Sequence, residues 1–111
     1  MENFRVTVTD EPEGVKLVTI YGAITADTAG PLSETLLGCL DRRPVCITID
    51  LAGVGYLASP GIGALVSFLR KVKQVGGELL MRGVQPNVLE LFRVTHLDKV
   101  FTIAPADTVS A

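Results

Sequence analysis

The sequence predicts a single α/β domain over residues 1–111, a mixed β-sheet with helices packed mainly on one face. Three observations point there. Two short alternating segments near the start are joined by a turn carrying Pro and Gly, as in a hairpin. Beyond them, apolar runs of strand length take turns with segments of helical periodicity. Finally, 48% hydrophobic against 20% charged residues in 111 positions gives enough apolar material for one modest core. Aromatic residues are 5% of the chain and Trp is absent, so Val, Leu, Ile and Ala must build that core.

The elements follow in order. Residues 4–9 read Phe-Arg-Val-Thr-Val-Thr, the alternation of a half-buried strand. Asp10 to Gly14 forms the turn, and Val15 to Tyr21 is the returning strand, stopped by Gly22. From Asp27 to Leu40, Ala29, Leu32, Leu36, Cys39 and Leu40 recur at helical spacing, with Asp27 or Thr28 as the expected cap. Val45 to Leu51 is nearly continuous and β-branched, which suits a central strand covered on at least one face.

Gly61 to Val75 is the strongest helix. Ile62, Leu65, Val66, Leu69 and Val72 line one side, while Ser67, Arg70, Lys71 and Gln74 line the other. Gly76-Gly77 ends it, and Glu78 to Arg82 is the next strand. Pro86 opens a short helix with Val88, Leu91 and Phe92 inward. Val100 to Ile103 is a last strand, and Pro105 is expected to start a terminal helix. The order β-β-α-β-α-β-α-β implies right-handed crossovers between parallel strands.

Composition excludes several functions. A net charge of −2 and the lack of a basic stripe interleaved with aromatics argue against nucleic acid. The basic cluster Arg70, Lys71, Lys73 instead fits a helix C-terminus, where cations complement the dipole. Cys39 and Cys46 read as core, form no CxxC pair, and with the lone His96 make no metal set. The start, Met-Glu-Asn, is not a basic region followed by an apolar run, and no apolar stretch reaches membrane length. A soluble cytoplasmic protein without metal or cofactor is expected.

Chemistry concentrates in residues 49–65, where a buried strand passes through a tight loop into the strongest helix. Free N–H groups and the positive dipole end favour an anion at such a helix start. Ser59 stands before Pro60 and Gly61. It reads either as an ordinary N-cap with Pro60 at the first helical position, or as a phosphorylatable serine. Pro60 has no N–H, so it removes one donor from the helix start. The glycines form neither GxxxxGK[ST] nor GxGxxG, which disfavours a small nucleotide-binding or phosphotransfer protein.

This stretch resembles the STAS family, whose hallmark is a strand ending in Asp-Leu, a short hydrophobic loop, then Asp-Ser-Ser/Thr-Gly-Leu/Ile-Gly opening a helix. The matching residues are Asp50-Leu51, Val54, Tyr56-Leu57 and Ala58-Ser59-Pro60-Gly61-Ile62-Gly63. The similarity continues through Lys71 to Glu78, Val84 to Phe92 and Leu97 to Phe101, so it covers nearly the whole chain. The resemblance implies a non-enzymatic antagonist of an anti-sigma factor, acting by partner switching. In such domains the serine after the motif's Asp is phosphorylated by an anti-sigma factor kinase and reset by a PP2C-type phosphatase; it corresponds to Ser59.

Two departures accompany the match. Ala58 replaces the motif's Asp and Pro60 its second Ser/Thr, and Thr25 stands where a further acid is usual, with Asp27 nearby. The site is therefore less polar than the family pattern. That favours an alternative, a constitutive non-phosphorylated module serving as a scaffold or lipid-transport subunit. The expected partner-binding set is Thr25, Asp27, Tyr56, Ala58, Ser59, Pro60, Gly61 and Ile62. Asp50 is expected to satisfy loop N–H groups, and His96 to lie at a helix end; without a Ser-His-Asp set a hydrolase is not indicated.

Overall fold

A computed structural model describes residues 4–41 and 43–104. The strands are β1 (Arg5–Asp10), β2 (Lys16–Tyr21), β3 (Cys46–Gly53), β4 (Glu78–Arg82) and β5 (Thr102–Ile103). The helices are α1 (Ala26–Gly38), α2 (Ser59–Gln74) and α3 (Pro86–Val94). The five strands lie in the order β1-β2-β3-β4-β5. β1 and β2 form the expected antiparallel hairpin, and each later neighbour is parallel.

That order places the helices. Each crossover steps one strand further in the same direction, so a constant right-handed sense puts every connecting helix over one face. Burial agrees. Val18, Ile20, Ile47, Ile49, Leu51, Leu79 and Met81 point to one side and are buried, together with Leu32 and Leu36 of α1 and Leu65, Phe68, Leu69 and Val72 of α2. The opposite face carries Thr7, Thr9, Thr19, Leu80, Arg82 and Thr102, all exposed. There the Arg5 guanidinium lies 4.6 Å from the centre of the Tyr21 ring.

Several local expectations change. The α1 cap is Thr25, not Asp27 or Thr28: its hydroxyl accepts from the Asp27 N–H at 3.3 Å, and the Thr28 hydroxyl accepts from the Thr25 N–H at 2.8 Å. This reciprocal pair satisfies two N–H groups that the helix start leaves over. Cys46 is half-buried on the open sheet face, whereas Cys39 is buried, and burial pushes its thiol upward. In α2 the buried stripe runs through Gly61, Leu65, Phe68, Leu69 and Val72, with Ile62 and Val66 on its flank.

The last strand is shorter than expected. The Phe101 N–H donates to the Leu97 carbonyl at 2.9 Å, holding Val100 and Phe101 in a turn before β5 begins. Phe101 is thereby buried against Phe92, with ring centres 5.6 Å apart. His96 follows α3 as expected, exposed and in the left-handed region at φ 64. The terminal helix expected from Pro105 lies outside the described residues.

Candidate functional site

The C-terminal ends of β2 and β3 bring the two helix starts together. Ile24 and Leu57 form an isolated parallel bridge: the Ile24 N–H donates to the Tyr56 carbonyl at 3.0 Å, and the Ala58 N–H donates to the Ile24 carbonyl at 2.9 Å. Thr25, the α1 cap, therefore sits beside Ala58, the residue before α2. Asp27 is exposed in the first turn of α1.

Ala58 occupies the N-cap of α2, and no side chain caps that helix. Ser59 is the first helical residue and Pro60 the second, because the Ile62 N–H closes on the Ala58 carbonyl at 3.0 Å. This corrects the capping alternative for Ser59. Its side chain is exposed, and its hydroxyl is not engaged by any described residue. A hydroxyl in this position adds nothing to the helix cap. Pro60 is exposed beside it and supplies no N–H.

The remaining expected residues divide by burial. Tyr56 is 59% exposed, a large apolar ring held out at the loop tip. Leu57 is buried and Ile62 is half-buried against the core. Gly61 is fully inside: a Cβ there would lie 2.4 Å from Ile24 Cγ2 and 2.7 Å from Leu57 Cδ1. Its lack of a side chain lets α2 start directly on the Ile24–Leu57 bridge. The exposed members of the expected set are thus Tyr56, Ser59 and Pro60, with Asp27 on the neighbouring helix.

Asp50 has the structural role expected of it. Its Oδ1 accepts from the Ala52 N–H at 2.9 Å and its Oδ2 from Arg82 Nε at 3.3 Å. Sequence reasoning missed Gln85 and Asn87. Gln85 Nε2 donates to the Ala52 carbonyl at 2.7 Å, and Asn87 Nδ2 donates to the Gly55 carbonyl at 2.7 Å. From the start of α3, Gln85 thus reaches the end of β3 and Asn87 the loop that carries Tyr56.

Open α/β sheets hold ligands where the strand order reverses. Here the order of the described strands runs through without reversal. A pocket of about 520 Å³ lies at the opposite end of the sheet, lined by Val15, Cys46, Gly77 and Glu78 among others. Among the described residues no group of three His, Cys, Asp or Glu could hold a metal ion, and no helix is long and apolar enough to cross a membrane.

Residues 7–109 match the family model described as STAS domain. The chain is 29% identical over 102 residues to an anti-sigma-B factor antagonist of Bacillus subtilis, covering 92% of each. It is 29% identical over 86 residues to the anti-sigma-B factor antagonist of Listeria monocytogenes, covering 78% of this chain and 75% of that one. A crystal structure of an anti-sigma factor antagonist from Mycobacterium paratuberculosis superposes with a TM-score of 0.78 at 28% identity, over 94% of this chain and 87% of that one.

Proposed function

The chain belongs to the STAS domain family, and from that premise we propose that it is an anti-sigma factor antagonist, working by binding and not by catalysis. Its partner is an anti-sigma factor that is also a serine kinase. The docking surface is the joined start of α1 and α2: Tyr56, Ser59 and Pro60, flanked by Asp27. Thr25, Ala58, Gly61 and Ile62 hold that surface in place. A PP2C-type phosphatase restores the unmodified form.

One observation carries the reading. Ser59 is exposed at the first position of α2, its hydroxyl not engaged by any described residue, three positions after a tyrosine that is 59% exposed. Aromatic side chains held out beside a modifiable polar group are apt anchors for a partner. A phosphate there brings about −1.5 to −2 charges into the contact and breaks it by repulsion and desolvation.

A second reading is a constitutive module that is never phosphorylated. It is favoured by Ala58, which gives the site no carboxylate, and by Pro60, which takes an N–H from the helix start. Affinity capture from native extract with wild type, Ser59→Ala and Ser59→Glu separates the two. Under the switch, wild type and Ser59→Ala retain the same kinase and Ser59→Glu loses it. The purified kinase with ATP then modifies wild type at Ser59 and leaves Ser59→Ala unmodified. Retention of one partner by all three variants establishes the constitutive module instead.

A further inference from the structure

The end of β3 and the loop that leads from it to α2 are held from both flanks. Their carbonyls at Gly53 and Tyr56 accept from the backbone N–H groups of Gly22 and Ile24, each at 3.0 Å. On the other flank, their carbonyls at Ala52 and Gly55 accept from the side-chain amides of Gln85 and Asn87, each at 2.7 Å. The two flanks differ in kind. Backbone donors on the β2 side are available from any residue but proline. Those on the β4 side exist only because these two positions carry carboxamides.

Gln85 and Asn87 stand on a firm base. They flank Pro86 at the start of α3, whose Val88 and Phe92 are buried in the core. Asn87 grips the carbonyl directly before Tyr56, the most exposed aromatic of the docking surface. Gln85 grips the loop's entry, where Asp50 also binds the Ala52 N–H.

We propose that Asn87, with Gln85, is a positioning residue for partner recognition: its amide fixes the loop so that Tyr56 and Ser59 are presented in one geometry before the partner arrives. The proposal rests on the docking reading above. Preorganisation of this kind raises affinity by removing the ordering that binding would otherwise require. Neither residue needs to touch the partner.

Asn87→Asp is the informative variant. It removes the donor facing the Gly55 carbonyl, yet places a negative charge in the first turn of α3, where the helix dipole favours it. A residue serving only the stability of α3 would tolerate this change. The readouts are amide hydrogen exchange at Ile24, Val54 and Ala58, whose N–H groups are bonded at this loop, in the free protein, the dissociation constant for the purified anti-sigma factor, and the thermal midpoint. Asn87→Ala and the double variant Gln85→Ala/Asn87→Ala accompany it, with Tyr56→Ala as control.

The expected result is exchange at Ile24, Val54 and Ala58 faster by about 3- to 10-fold per lost bond, with amides in the middle of α2 unchanged. Partner affinity falls by a similar factor in Asn87→Asp and Asn87→Ala, and further in the double variant, while the midpoint of Asn87→Asp stays near wild type. Unchanged loop exchange in Asn87→Asp overturns the proposal. So does faster exchange with undiminished affinity when Tyr56→Ala has lost the partner. If Tyr56→Ala binds like wild type, the docking reading itself has failed and the positioning role falls with it.

Discussion

Adding one methyl group at Gly61 and at Gly63 should move stability in opposite directions, although the two positions are two residues apart in the same helix. At Gly61 a Cβ would lie 2.4 Å from Ile24 Cγ2, 2.7 Å from Leu57 Cδ1 and 3.1 Å from Ile24 Cβ. Ile24 is fully buried and Leu57 nearly so, and their backbones are tied by the bridge at this point. Ile24 cannot rotate away, because a β-branched side chain is stiff at χ1 and its Cβ itself is in the way. Overpacking of this kind costs about 1–3 kcal/mol. The reduced entropy of the unfolded chain returns about 0.4–1 kcal/mol. Gly61→Ala should therefore be destabilised by roughly 1–2 kcal/mol, lowering the thermal midpoint by roughly 4–8 °C for a chain of this size.

At Gly63 nothing lies within 4 Å of the added carbon. Only the favourable term remains, so Gly63→Ala should gain about 0.4–1 kcal/mol, or roughly 2–4 °C. Calorimetry and urea unfolding at a common pH measure both, with an unchanged urea slope as the check that the folded state is the same. If Gly61→Ala is as stable as Gly63→Ala, the close seat of α2 on Ile24 and Leu57 is wrong. The position of Ser59, which depends on that seat, would then be wrong too.

Three further outcomes are expected. Thr25→Ala loses the α1 cap and should cost about 1 kcal/mol in urea unfolding, while Thr25→Ser, which keeps the hydroxyl, stays within a few tenths. Phe92→Ala should cost about 3–5 kcal/mol and speed amide exchange around β5, because Phe101 packs on that ring. Burial of Cys39, the largest cause, raises its thiol above the ordinary 9.0. The unfolded chain therefore ionises first, so this contribution to stability is complete below about pH 9 and is lost as pH rises through the folded value. Urea midpoints of wild type should fall more steeply over that range than those of Cys39→Ala.

The sheet and its order were legible because hairpin chemistry and alternating periods are local signals. What was misplaced depended on contacts that local patterns do not encode. The apolar pattern of α2 points toward Ile62 and Val66 because Gly61, which lies at the buried centre, has no side chain to register as apolar. Ser59 was open to reading as the cap because Pro is accepted in the first turn generally; the bond from Ile62 to Ala58 is what places Ser59 one residue inside. Gln85 and Asn87 were missed for a different reason. Their acceptors are 33 and 32 residues away, and only the parallel pairing of β3 with β4 brings them within reach.

A last prediction turns on what the site does with added charge. The Thr28 hydroxyl donates to the Ala23 carbonyl at 3.0 Å while accepting from Thr25, and the Thr25 hydroxyl accepts from Asp27. The Ala58 side chain offers no polar group, its N–H is taken by the Ile24 carbonyl, and Pro60 has no N–H. A negative group on Ser59 would thus find few donors within the domain itself and would stay in water, where the α2 dipole still favours it by about 0.3–1 kcal/mol. The switch this geometry supports acts at the contact, without refolding of either helix. Ser59→Glu should then keep or slightly raise the thermal midpoint, by up to roughly 4 °C, and leave amide exchange across α1 and β3 as in wild type. Binding to the anti-sigma factor should nevertheless be lost. A fall in the midpoint, or faster exchange in α1, would mean that charge at Ser59 acts by disturbing the domain, and the argument from direct repulsion would have to be abandoned.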